Sequence, residues 1–263
     1  METTDILSEI IASKRREIAA QKTYVPESML TAQLEYHDPC ISMKNILKQS
    51  DTGIIAEFKR RSPSKGWINK EADACVIPAG YEQAGAAALS ILTDEPYFGG
   101  SLKDLRKARP MTSIPILRKD FIVDPYQLYQ AKILGADVVL LIAAALTHTE
   151  CQELALQAHQ LDMEVLLEIH SEKELDYVNK YVDMVGVNNR NLGTFHTDVA
   201  NSFRLASQLP QDMVLVSESG ISSPDTIKEL RRAGFRGFLM GETFMKTEDP
   251  AGTLAQFIQS VRS

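Results

Sequence analysis

Eight short apolar runs recur along the chain, separated by longer stretches in which apolar residues return with helical period. The runs are GIIAEF (53–58), AALSIL (87–92), IPILRK (114–119), DVVLLIA (137–143), MEVLLEI (163–169), MVGVN (184–188), MVLVSE (213–218) and GFLMG (237–241). Between them, 71–84, 101–109, 125–134, 149–160, 172–180, 198–207 and 223–233 read as helices, and a last one spans about 250–262. The junctions agree: Gly85, Gly135 and Gly234 stand where a helix would end. Ser223, Pro224 and Asp225 form an N-cap, a first helical position and an acidic first turn. Strands alternating with helices imply parallel pairing. Eight such units predict a closed (β/α)8 TIM barrel, with an open doubly wound sheet as the alternative.

Residues 1 to about 50 precede this rhythm. Ile6, Ile10, Ile11 and Ile18 predict an amphipathic helix capped by Thr3 or Thr4, and YVPESML and ISMKNILK predict shorter helical pieces. The expected organisation is one domain over 1–263, with 1–50 a helical extension. A length of 263 residues suits one such barrel.

A net charge of −7 argues against a nucleic-acid binder, so the KRR at 14–16 reads as a solvated helix face. The N-terminus lacks the pattern of a secretory signal, and no apolar stretch approaches a membrane span. Cys40, Cys75 and Cys151 are far apart, without metal-ligand spacing, so no metal is expected and a reducing cytoplasmic location is.

Charge becomes informative where the runs end, because catalytic groups of a barrel sit at the C-terminal ends of its strands. The first run ends in EFKRRSPSKG, with Glu57 and Lys59 two apart and so on one face. The third ends at Lys119, the fifth at Glu168, the sixth at Asn188 and Arg190, and the seventh in SESG (217–220). Lysines and an arginine among glutamates offset one another's burial and leave cationic character for an acidic ligand. Gly220 and Gly241 follow the seventh and eighth runs, the frequent phosphate site of this architecture. Other polar residues have plainer readings: Arg60 and Arg61 as solvated loop charges, Trp67 as loop packing, Asp120 as structural, and His148, His170 and His196 as surface or packing residues.

IIAEFKRRSPSKG, ALSILTDEPYFGGS, PILRKDFIVDPYQ, LLEIH, VGVNNRNL, SESGI and FLMGETFM occur in the order and at the strand ends seen in the indole-3-glycerol phosphate synthase family, which the chain resembles over most of its length. The resemblance implies ring closure of 1-(2-carboxyphenylamino)-1-deoxyribulose 5-phosphate, with loss of CO2 and water, without cofactor or metal. It also implies an N-terminal extension packed over the barrel mouth. By resemblance Lys119 is the leading general acid with Lys59 beside it, Glu168 the base, and Glu57 an orienting or second acid–base group. Arg190 would bind the substrate carboxylate, Asn188 and Ser219 the sugar hydroxyls, and Phe121 the aromatic ring. Ser62 and the backbone at Gly220, Gly241 and Glu242 would hold the phosphate, with Glu218 also in the binding set.

Glu242 departs from the family, where serine is frequent, so its carboxylate is expected to turn away from the phosphate. The implied partner is a small phosphorylated substrate, with no nucleic acid or membrane; association with other enzymes of the tryptophan pathway stays open. Competing readings are a Schiff-base aldolase using Lys119, a phosphoribosyl anthranilate isomerase, and a barrel that only binds an anionic metabolite.

Overall fold

The computed structural model describes residues 6–34, 39–191, 193–210 and 212–263, so the expected cap at Thr3 or Thr4 lies outside the described residues. All eight apolar runs are strands: β1 (Ile54–Phe58), β2 (Ala88–Leu92), β3 (Ile116–Lys119), β4 (Val138–Ile142), β5 (Glu164–Ile169), β6 (Met184–Asn188), β7 (Val214–Glu218) and β8 (Phe235–Met240). They form a closed parallel barrel in the order β1-β8-β7-β6-β5-β4-β3-β2. The open-sheet alternative fails because β1 pairs on both sides, Ile55 lying opposite Ala88 of β2 and Leu239 of β8.

Helices α1 (Ile6–Tyr24), α2 (Glu27–Thr31) and α3 (Met43–Gln49) precede the barrel. Around it run α4 (Ile77–Ala84), α5 (Glu95–Phe98), α6 (Leu102–Ala108), α7 (Pro125–Ile133), α8 (His148–Gln160), α9 (Ala200–Ala206), α10 (Pro224–Arg232), α11 (Glu242–Met245) and α12 (Pro250–Arg262). Ser223 caps α10 as expected, accepting from Asp225 N–H, and Gly85, Gly135 and Gly234 all have positive φ. Two expected helices are shorter. The 71–84 stretch becomes helical only at Ile77, since Pro78 has no N–H to continue a helix begun upstream. Over 172–180 only a tight 3₁₀ segment, Glu172–Tyr177, forms.

The strands are buried along their length because each faces two apolar layers. Ile55, Leu117, Leu140, Leu166, Val216 and Leu239 pack inside the barrel; their neighbours Ile54, Ile116, Leu141, Leu167, Leu215 and Phe238 pack outward. Period two then dictates what stands above the inner layer. Glu57 follows Ile55 by two, Lys119 follows Leu117, Glu168 follows Leu166, and Glu218 follows Val216. The upper rim is therefore a polar layer on an apolar floor.

The N-terminal extension divides between the two ends. Ile6, Leu7 and Ile10 of α1 border the cavity at the upper rim. Residues 41–49 lie at the opposite end, contrary to an extension that covers only the mouth. Met43 and Leu47 of α3 join the inner apolar cluster beside Ala88, Val138 and Val214, at the strand starts. Ser42 Oγ and Lys44 N–H donate to Glu164, and Ile41 N–H donates to Asp137 Oδ1 at 2.7 Å. An inner layer of branched side chains needs an apolar lid below, and α3 provides it.

Two charges expected in solvent are instead structural. Lys14 is 2 % exposed, its Nζ 3.0 Å from Asp94 Oδ1, 3.1 Å from Asp120 Oδ1 and 2.9 Å from Glu17 Oε2. Asp120 also receives Arg118 Nη2 at 3.0 Å and Thr93 Oγ1 at 2.6 Å, which accords with its structural reading. Arg60 reaches both carboxylate oxygens of Asp104 at 2.6 and 2.9 Å and the carbonyl of Ala72 at 2.9 Å, fixing the loop after β1 to α6. Arg61 remains half-buried, donating to Pro96 O, and Trp67 is half-exposed, with Arg61 over its ring and its edge close against Gly99.

Candidate active site

The polar layer opens into a cavity of about 620 Å³ at the C-terminal ends of the strands, and every candidate residue borders it. At its floor Lys119 Nζ lies 2.9 Å from Glu168 Oε2 and 3.2 Å from Glu218 Oε2. These three side chains come from β3, β5 and β7, alternate strands around the ring, as expected for one layer of a barrel interior. Asn188 Nδ2 donates to Glu168 Oε1 at 3.0 Å. Across the floor Lys59 Nζ pairs with Glu57 Oε1 at 2.5 Å. Among the described residues no group of three or more His, Cys, Asp or Glu side chains is arranged to hold a metal ion.

Two glycines make room for these carboxylates. A Cβ at Gly241 would press on the Glu57 side chain, and one at Gly186 would overlap Glu218 Oε1. Gly241 was singled out as a possible phosphate contact; Gly186, inside MVGVN, carries no sequence signal beyond interrupting an apolar run. Gly186→Ala is expected to displace Glu218 and lower kcat/KM at least about tenfold, the order of loss that misplacing a group in a reaction cavity produces. Steady-state kinetics checks this, with circular dichroism confirming the barrel.

Burial and charge set the protonation states. Lys119 is largely withdrawn from solvent, its side chain 14 % exposed, which disfavours its charge, but the carboxylates of Glu168, Glu218 and Glu57 outweigh this and raise its proton affinity. Glu168 is also buried, yet Lys119, His170 and Asn188 hold it well below the usual carboxylate range. Glu218 is pushed up to about 7, mainly by burial, which Lys119 opposes and the neighbouring Glu168 and Glu57 reinforce. Its Oε1 is buried without a hydrogen-bond partner among the described residues. Two carboxyls thus share one lysine, with Glu168 ionised and Glu218 the readier of the two to hold a proton.

The cations at the mouth come from two loops. Arg190, just past β6, donates to Ser64 Oγ at 2.6 Å, so it is tied to the loop after β1. The Glu242 side chain is 37 % exposed and stands between two cations. Its Oε1 is 3.9 Å from Lys65 Nζ and its Oε2 3.9 Å from Arg190 Nη2, and both cations offset its charge. Ser219 and Gly220 both have positive φ, +67° and +78°, and turn the chain sharply at the end of β7. A Cβ at Gly220 would overlap Thr197 Cγ2. Ser62, in the loop after β1, is buried, its Oγ accepting from Lys65 N–H. Phe121 packs on the inner apolar cluster with its ring 6.0 Å from that of Phe98.

One histidine was misread. His170 stands two residues beyond Glu168, on the same side of the chain, with Nε2 3.3 Å from Glu168 Oε1. Its parity was available in the sequence. His148 stays at the surface, paired with Asp176 at 3.0 Å and stacked on Tyr177, and His196 is exposed.

Comparison with known proteins gives this geometry a family. The family model described as indole-3-glycerol phosphate synthase matches residues 7–257. The indole-3-glycerol phosphate synthase of Bacteroides thetaiotaomicron is 64 % identical over 98 % of this chain and 99 % of its own length. That of Desulfosudis oleivorans is 42 % identical over 97 % of this chain and 98 % of its own. Among solved structures, the tryptophan synthase alpha subunit of Legionella pneumophila superimposes with a TM-score of 0.59 at 12 % identity. It covers 84 % of this chain and 96 % of its own, which supports the fold alone. The chain belongs to the indole-3-glycerol phosphate synthase family, the decarboxylating lyases that close the indole ring in tryptophan biosynthesis.

Proposed function

We propose that Lys119 is the general acid and Glu168 the base of this ring closure, with Glu57, Lys59 and Glu218 completing the proton inventory. The observation that carries the reading is the placement of Lys119 between Glu168 and Glu218 on an apolar floor. Attack of the carboxylate-bearing ring carbon on the C2′ carbonyl moves the carbonyl π pair onto oxygen. That oxygen takes a proton from Lys119. Breaking the bond to the carboxylate releases CO2 and returns its electron pair to the ring. The C2′ hydroxyl then leaves as water with a proton from an acid, for which Lys59, paired with Glu57, is placed. Glu168 takes the C1′ proton, and the indole is complete.

The Schiff-base alternative is disfavoured by the same contacts. A nucleophilic lysine needs a lowered proton affinity, and three carboxylates raise that of Lys119. The isomerase alternative calls for a cysteine near the end of β1, where this chain has Glu57 and Lys59; none of the described residues bordering the cavity is a cysteine. Arg190 would hold the substrate carboxylate, and Asn188 and Ser219 the sugar hydroxyls. The phosphate would lie against Ser62 and the backbone at Gly220, Gly241 and Glu242. The free thiols of Cys40, Cys75 and Cys151 support a cytoplasmic location, and no described helix is long and apolar enough to cross a membrane.

Growth of indole fluorescence on mixing the protein with the carboxyphenylamino deoxyribulose phosphate tests the activity directly. Borohydride trapping of substrate on a lysine would count against the acid–base scheme. Arg190→Ala is expected to raise KM about ten- to hundredfold, the worth of one charge-assisted hydrogen bond, with a smaller change in kcat. A kcat loss at unchanged KM would move Arg190 from binding to chemistry.

A further inference from the structure

We infer that His170 is a positioning residue whose imidazolium fixes the Oε1 edge of Glu168 and keeps that carboxylate ionised, leaving Oε2 for Lys119 and the substrate. This rests on the reading of Glu168 as the base. His170 directly follows the last residue of β5, and its side chain is 13 % exposed. Its two ring nitrogens lie between two carboxylates, Nε2 at 3.3 Å from Glu168 Oε1 and Nδ1 at 3.7 Å from Glu174 Oε2. The backbone is held on both sides: its N–H donates to Glu174, and its carbonyl accepts from Asn201 Nδ2 at 3.0 Å. A neutral imidazole has one N–H and could satisfy one acidic neighbour; the imidazolium has two.

The charged groups around His170 all favour its cationic form or act through Glu168. Glu168 approaches from β5 and Glu174 from the 3₁₀ segment after it. Lys119 of β3 touches the far oxygen of Glu168, and Glu218 of β7 reaches it only through Lys119. Asn188 of β6 and Asn201 of α9 are neutral. Burial works against the imidazolium, but Glu168 and Glu174 overcome it and carry its pKa up to about 9. The cation is thus present across the neutral range: Asn188 Nδ2 donates to Glu168 Oε1 at 3.0 Å, and the His170 ring lies 3.3 Å from the same oxygen as an ion pair rather than a hydrogen bond. A base held on one edge by a hydrogen bond and an adjacent cation presents its other edge in a single orientation.

The test separates charge from aim. His170→Gln keeps an amide donor toward Glu168 without the charge, and His170→Leu keeps neither. Loss of a cation at this distance lets Glu168 take a proton at higher pH. In His170→Gln the acid limb of the kcat/KM profile is expected to move up by about one pH unit, with the plateau kcat within about threefold of wild type. In His170→Leu the plateau is expected to fall at least about tenfold as well. Loss at all pH values with an unmoved acid limb in both variants would make His170 merely structural and overturn the proposal.

A second readout needs no turnover. The ring-proton resonance absent from the His170→Gln spectrum is expected to titrate near 9 in wild type. In Glu168→Gln it should move toward the ordinary histidine value of about 6.5. A titration indifferent to Glu168→Gln would overturn the coupling. Should wild type fail to convert the substrate, the functional reading fails while this titration still decides whether His170 and Glu168 act as a pair.

Discussion

Lys119→Ala is expected to lower kcat by about 10²- to 10⁴-fold with a much smaller change in KM, the contribution of a positioned general acid. The argument is electrostatic as well as chemical. Lys119 has carboxylate oxygens at 2.9 and 3.2 Å, so its proton is strongly held. The oxygen it serves becomes an alkoxide as the ring closes, a base strong enough to take a proton even from a lysine so held. Alanine removes the donor and also leaves Glu168 and Glu218 facing each other, with the His170 imidazolium on the far edge of Glu168 and Lys59 across the floor as remaining cations. The proton affinity of Glu218, already raised above the unfolded range by burial, then rises further because Lys119 no longer opposes it. A group raised in this way is most compatible with the fold below its unfolded pKa and costs stability as pH increases. Lys119→Ala should therefore lose more stability relative to wild type at pH 8 than at pH 5, which thermal denaturation across that range measures. Retention of near-full turnover would transfer the acid role to Lys59.

That layer of charges was readable because of how a parallel barrel is built. Its strands are covered on both faces, so they stand out as continuous apolar runs, and the first polar residue in phase with the inner face marks the rim. Glu57, Lys119 and Glu168 were found at the ends of their runs, and the structure sets them two positions beyond the inner residues Ile55, Leu117 and Leu166. Glu218 was assigned to substrate binding alone, since nothing local tells that it shares Lys119 with Glu168. The failures have a common origin: they depend on partners distant in sequence. Lys14 sits in a run of cations that looks solvated, and its two buried acidic partners, Asp94 and Asp120, lie some 80 and 106 positions away. Arg60 is fixed by Asp104, 44 positions away, and by the carbonyl of Ala72, which nothing beside it in the sequence announces. Gly186 matters because of a glutamate two strand residues above it on β7. The placement of α3 under the barrel follows from the inner layer's need for an apolar lid, which periodicity within α3 does not reveal.

The buried position of Lys14 makes it the most consequential residue outside the cavity floor. Its ammonium is the bond between α1 and the ends of β2 and β3, and Asp120 is the immediate neighbour of Lys119. Lys14→Met keeps the length of the side chain and removes the charge, leaving Asp94 and Asp120 buried with one cation fewer. Breaking a buried pair from one side costs about 3–5 kcal/mol, because the abandoned charge has no water to replace its partner. The variant is expected to unfold at correspondingly lower temperature and, since Ile6, Leu7 and Ile10 of the same helix wall the cavity, to bind substrate less tightly.

The pH dependence gives the prediction its sign. Burial favours the neutral acid at Asp120, yet Arg118 and Lys14 hold it down at about 2, below the unfolded range near 3.9. Its stabilising contribution is complete above that range and is lost as pH falls toward 2. Lys14 has its own proton affinity raised, so its contribution persists through neutral pH and fades only in strong alkali. The deficit of Lys14→Met should accordingly be largest near pH 7 and shrink below pH 4, as protons take the place of the missing cation. A melting temperature matching wild type at pH 7 would mean that α1 is held by its apolar contacts alone.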